Sequence, residues 1–112
     1  MNAPNLLFVY GSLKRGEVNF PVMVNAGARF FSLGRTLRPL PIEQGPEWRR
    51  LLDRPGEGER VAGELFIVES EEGWRQLDDF EGHPHGYRRR LEDVVDEAEQ
   101  VRAAWIYFYV GE

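Results

Sequence analysis

Arg60-Val61-Ala62-Gly63-Glu64-Leu65-Phe66-Ile67-Val68-Glu69-Ser70-Glu71-Glu72-Gly73-Trp74-Arg75-Gln76-Leu77-Asp78-Asp79-Phe80-Glu81-Gly82 changes its period in the middle, and that change decides the fold class. Over the first ten residues Val61, Gly63, Leu65 and Ile67 alternate with Ala62, Glu64, Phe66 and Val68. Both sets are largely apolar, which is the pattern of a strand covered on both faces and so central in its sheet. Ser70 then offers an N-cap oxygen, and Glu71 and Glu72 fall in the first turn, where negative charge suits the exposed N–H groups of a helix. The helix is expected from Glu71 to Phe80 or Glu81, and Gly82 stops it.

The segments around this unit read mostly as strands. Leu6-Leu7-Phe8-Val9-Tyr10 is short, apolar and followed by glycine, as in a buried strand that ends in a turn. Asn19–Val24 holds a short helix with Pro21 at an early position, and Ala28–Leu37 is a strand. Residues 38–60 carry Pro39, Pro41, Pro46 and the turn Pro55-Gly56-Glu57-Gly58, so short strands and turns are expected. Tyr87–Val95 and Val101–Val110 form two further strands joined by the acidic turn 96–100. Many strands, one substantial helix and few helical crossovers predict an α+β domain over residues 1–112: a small, mostly antiparallel β-barrel-like sheet with one main helix. The aromatic residues Phe8, Tyr10, Phe66, Trp105, Tyr107, Phe108 and Tyr109 fill or line it.

Composition narrows the function classes. With no cysteine among 112 residues, disulfides and thiolate chemistry are excluded, and a cytoplasmic location is the expected one. The net charge of −5 argues against a nucleic-acid partner, which favours a basic surface. The runs Leu6–Val9 and Ala103–Val110 fall far short of the ~20 apolar residues of a membrane-spanning helix, and the opening Met1-Asn2-Ala3-Pro4-Asn5 lacks the basic and apolar parts of a signal peptide. Arg88-Arg89-Arg90 is the tight basic cluster of the chain and reads as part of a solvated strand. Oligomeric state is not encoded in any of these features.

Two places can carry chemistry. The first is Tyr10-Gly11-Ser12-Leu13-Lys14-Arg15-Gly16, at the end of the first strand. A glycine-bearing turn there can aim successive main-chain N–H groups into one concavity suited to carboxylates or oxyanions; it equally fits an ordinary β-turn. It lacks the G-x-x-x-x-G-K-[ST] spacing of a phosphate loop. The second is the end of the helix. With Trp74 at zero on a helical wheel, Leu77 falls near about 300° and Glu81 near about 340°, whereas Asp78 lies near about 40° and Asp79 near about 140°. Glu81 thus continues the apolar stripe, where burial disfavours its charged form and raises its pKa; the alternative is a helix-end carboxylate turned back into water. His83 and His85 flank Pro84 without an obvious third ligand, so no metal is expected. Ser12 and Ser70 lack a His–Asp pair. Asp78 and Glu81 sit side by side on one helix instead of across a scissile bond.

Taken together, Phe8-Val9-Tyr10-Gly11-Ser12-Leu13-Lys14-Arg15-Gly16 resembles the Y-G-[ST]-L-x-x-G signature of the γ-glutamyl cyclotransferase-like superfamily. Leu77-Asp78-Asp79-Phe80-Glu81-Gly82 with Tyr87-Arg88-Arg89 resembles its L-D-x-x-E-[GS]…Y-x-R segment. Gly34–Leu37, the 55–58 turn and Leu77–Glu81 are most similar to the γ-glutamylamine cyclotransferase branch. The resemblance implies a small-molecule γ-glutamyl substrate, no cofactor, and release of 5-oxoproline with a free amine. It implies Glu81 as the catalytic acid/base, Tyr10, Gly11, Ser12 and Leu13 as the loop that holds the γ-glutamyl head group, and Tyr87 and Tyr107 as aromatic neighbours of the cavity. Two other roles fit the same scaffold: a non-catalytic small-ligand-binding domain, and an enzyme that removes a γ-glutamyl protecting group.

Overall fold

A computed structural model describes residues 5–111; the opening at residues 1–4, read above for a signal peptide, lies outside them. In chain order the elements are β1 (Leu6–Val9), α1 (Phe20–Asn25), β2 (Arg29–Thr36), β3 (Ile42–Gln44), β4 (Arg49–Leu52), β5 (Ala62–Ile67), α2 (Glu71–Glu81), β6 (Tyr87–Asp96) and β7 (Val101–Tyr109). Hydrogen bonding runs β1-β5-β2-β6-β7, and β7 returns to β1 through Leu7 and Trp105. Five strands therefore close into a barrel, so that each of the five has a neighbour on both sides. β4 continues in parallel from the end of β7, and β3 pairs antiparallel with β4. The expected antiparallel sheet is present, with two parallel contacts added, β1–β7 and β4–β7.

β5 lies between β1 and β2, as its two apolar faces require. Leu65 packs inside the barrel with Phe8, Val94, Ile106 and Phe108. Its neighbour Phe66 faces the other way, into a layer with Leu7, Met23, Leu77 and Tyr107 under the helices. Gly63 permits an unusually close approach: a Cβ there would stand 2.3 Å from the Val9 carbonyl oxygen. α2 begins where Ser70 Oγ accepts the Gly73 N–H at 2.9 Å. It ends at Gly82, whose φ of 73° is the left-handed conformation glycine adopts without steric cost. Among the described residues no helix is long and apolar enough to cross a membrane.

The predicted face of α2 is the observed one. Leu77 is fully buried, Trp74 partly so, Asp79 is exposed, and Glu81 and Asp78 are half-buried. The basic cluster departs from its predicted solvated state. Arg88 is exposed, but Arg89 is held by Asp78, and Arg90 by Asp53 and Glu92. The reason is that the long side chains of β6 reach carboxylates of other elements, Asp78 on α2 and Asp53 just past β4, together with Glu92 on the same strand.

Candidate active site

β1 runs out at Val9, and the chain turns through Tyr10–Gly16 before α1. This turn is pinned from several sides. The Lys14 N–H donates to the Gly11 carbonyl at 3.1 Å, and Asn19 donates to the Ser12 carbonyl through its main chain (2.9 Å) and to Ser12 Oγ through its side chain (2.8 Å). The Arg15 N–H donates to Glu64 Oε1 on β5 at 2.9 Å. The N–H groups of Gly11, Ser12 and Leu13 have no protein acceptor among the described residues. Three successive donors are thus left for another partner.

The turn forms one wall of a cleft of about 690 Å³. Facing walls come from Phe80 and Glu81 at the end of α2, Tyr87 at the start of β6, Tyr107 on β7, and the 44–49 segment that links β3 to β4. All seven residues singled out from the sequence, Tyr10, Gly11, Ser12, Leu13, Glu81, Tyr87 and Tyr107, border this one cleft.

Glu81 stands apart electrostatically. Its carboxyl has no hydrogen bond or ion pair among the described residues, and burial alone pushes its pKa up to about 7. Burial also raises the pKa of the Tyr10, Tyr87 and Tyr107 phenols. Tyr10 uses its hydroxyl structurally: Oη accepts the Leu51 N–H at 2.9 Å and donates weakly to the Tyr107 carbonyl at 3.4 Å. Asp78, three residues before Glu81, has the opposite character. Burial works against its charge, but hydrogen bonds from Arg89 and Tyr107 outweigh burial and hold its pKa below the ordinary range. One turn of helix therefore presents one carboxyl fixed as an anion and one free to exchange a proton near neutrality.

Several contributors carried no sequence signal. Arg49 lines the cleft and donates to the Tyr10 carbonyl at 2.9 Å, yet it lies outside both motifs. Trp48 and Gln44 form the outer wall only because β4 joins the end of β7. His83, considered as a metal ligand, accepts the Arg89 N–H through Nδ1 at 3.2 Å.

A five-strand barrel of this topology with its cleft at the ends of β1, α2 and β7 is the γ-glutamyl cyclotransferase-like fold. A crystallised AIG2-like protein from Mus musculus superposes with a TM-score of 0.86 at 32% identity, covering 99% of this chain and 80% of that one. Residues 7–112 match the family described as gamma-glutamyl cyclotransferase, AIG2-like; the chain belongs to that family and so to the cyclotransferase enzymes. The Gamma-glutamylaminecyclotransferase of Homo sapiens is 42% identical over 108 residues, spanning 85% of this chain and 69% of the human protein. That of Rattus norvegicus is 43% identical over 90 residues, spanning 74% of this chain and 58% of the rat protein.

Proposed function

We propose that this chain is a γ-glutamylamine cyclotransferase that uses Glu81 as its general acid and base. The substrate's α-amine attacks its own γ-carbonyl, a five-membered lactam closes, and the γ C–N bond breaks to give 5-oxoproline and a free amine. Nucleophile and electrophile belong to one molecule, so a cleft that holds the head group curled gains the large advantage of intramolecular attack.

The observation that carries this reading is a buried carboxyl with no ion-pair partner and a run of main-chain donors without a protein acceptor among the described residues, both bordering one cleft. An α-ammonium has a pKa of about 8, so giving its proton to an ordinary glutamate of about 4.3 is uphill by roughly 5 kcal/mol. With Glu81 at about 7 the same transfer costs only ~1.4 kcal/mol. The protonated Glu81 then returns its proton to the departing amine. The Gly11–Leu13 amides neutralise an anionic group of the substrate, whether the α-carboxylate or the oxyanion that forms on the γ-carbonyl. A module that only bound ligand would have no use for a carboxyl poised near neutrality.

Incubation with γ-glutamyl-ε-lysine and a panel of other γ-glutamyl amines, followed by assay for 5-oxoproline, tests the reading. Turnover by the wild type and its loss in Glu81→Gln, with the fold intact, is expected. Full activity in the variant removes the acid/base assignment, and binding without turnover across the panel favours a ligand-binding role.

A further inference from the structure

Tyr107 lines the cleft, and the proton of its hydroxyl is already committed. It donates to Asp78 Oδ1 at 2.6 Å. Asp78 is fixed from the other side by Arg89, whose Nε reaches Oδ1 at 2.8 Å and whose second nitrogen reaches Oδ2 at 3.3 Å. Arg89 in turn is clamped: its guanidinium carbon lies 4.6 Å from the ring centroids of both Trp74 and Trp105. A phenol has one proton and two acceptor lone pairs. With that proton held by an anion, the oxygen has only lone pairs left to offer a ligand.

We propose that Asp78 is a positioning residue that makes Tyr107 an obligate hydrogen-bond acceptor toward the α-amine of the substrate. The proposal rests on the function put forward above. A reacting amine must keep its lone pair free to attack the γ-carbonyl. A phenol free to rotate can donate to that lone pair and quench it. A phenol locked as an acceptor takes an N–H instead and holds the amine with its lone pair available. Asp78 therefore acts on the reaction through Tyr107, while Glu81, one turn further along α2, moves the protons.

The test compares Asp78→Asn, Tyr107→Phe and the double variant against the wild type. Near-UV circular dichroism and thermal melting first establish that each is folded. Each single change is expected to lower kcat/KM by about tenfold or more, chiefly through kcat, and the double variant is expected to lose no more than the worse single one. Losses that multiply overturn the coupling. A second readout needs no turnover: a slowly exchanging, downfield hydroxyl proton in the NMR spectrum, present in the wild type and in Glu81→Gln, absent from Tyr107→Phe and shifted or lost in Asp78→Asn. Its absence from the wild type overturns the proposal. Should Asp78→Asn fail to fold, Arg89→Met, which keeps apolar volume between the two indoles, replaces it in the cycle with the same expectation. A wild type that turns over no γ-glutamyl amine overturns both the function and this proposal. Turnover with multiplicative variants overturns only the positioning role.

Discussion

Glu64 holds Arg15 at three points. Its Oε1 accepts the Arg15 main-chain N–H at 2.9 Å, and its Oε2 accepts Nε and a terminal nitrogen of the same side chain at 3.2 Å each. The carboxylate belongs to the central strand and is only 11% exposed, whereas the arginine side chain is 46% exposed. The turn with the free amides is thus tied to β5, which is paired on both sides by β1 and β2. The guanidinium contacts are weakened by solvent; the main-chain bond is not so easily replaced. Glu64→Ala is expected to cost about 1–2 kcal/mol in urea denaturation and to raise KM. Glu64→Gln, which retains an acceptor for the Arg15 N–H, should cost less than half of that. Equal losses in the two variants would place the effect in the ion pair instead.

Gly63 and Gly34 face each other across β5 and β2, but they should tolerate alanine very differently. A Cβ at Gly63 would lie 2.3 Å from the Val9 carbonyl oxygen, a main-chain atom that cannot step aside without opening β1 from β5. A Cβ at Gly34 meets Val94 Cγ1 at 2.8 Å, the tip of a side chain. Gly63→Ala is expected to destabilise by about 3 kcal/mol, at the upper end of overpacking costs, and Gly34→Ala by about 1 kcal/mol. Because Val9 leads directly into Tyr10, Gly63→Ala should also impair substrate binding. Thermal melts and KM values for the pair check both statements.

What the sequence carried well was whatever depends on neighbours in the chain. The period-2 run through Leu65 and Phe66, the Ser70 cap and the Gly82 stop are local, and they appear where the pattern put them. The inward bearing of Glu81 followed from its phase with Trp74 and Leu77. Contacts assembled from several elements were not legible. Arg89 looked like one of three solvated arginines because Trp74, Asp78 and Trp105, which enclose it, come from α2 and β7. The parallel closure of β7 onto β1 left no trace in either strand's pattern, since both are apolar whichever neighbour they take. Arg49 was silent for the same reason: it enters the cleft only through the attachment of β4 to β7.

Arg49 brings a cation to a cleft whose other wall is the amide turn. An exposed guanidinium contributes through long-range attraction and its remaining donors, both sensitive to salt. Arg49→Ala is expected to raise KM for γ-glutamyl substrates several-fold while leaving kcat within about twofold. The difference from the wild type should shrink between 20 mM and 500 mM salt, on the order of the fall in Debye length. A KM difference that does not change with salt would assign Arg49 a purely structural role through its bond to the Tyr10 carbonyl.

Glu81 should leave a signature in stability as well as in catalysis. Burial raises its pKa from 4.5 to about 7 in the folded chain, so between those values the native state keeps a proton that the unfolded state has lost. Stability then falls as pH rises. The contribution is fully present below about pH 4.5, declines as pH climbs towards 7, and is gone above it. Integrated over the shift, the loss is about 3 kcal/mol. Glutamine has the shape of the protonated acid but does not titrate, so Glu81→Gln should match the wild type near pH 5 and exceed it by ~2–3 kcal/mol at pH 8. Urea denaturation of both proteins at pH 5, 6, 7 and 8 measures this directly, because every other titrating group cancels in the difference. The same ionisation should give kcat/KM an acidic limb near pH 7, since the free enzyme must hold the carboxylate to accept a proton. A stability difference that stays flat across this range would mean that Glu81 ionises as freely as a surface glutamate, and the carboxyl could not then serve as both acceptor and donor in one turnover.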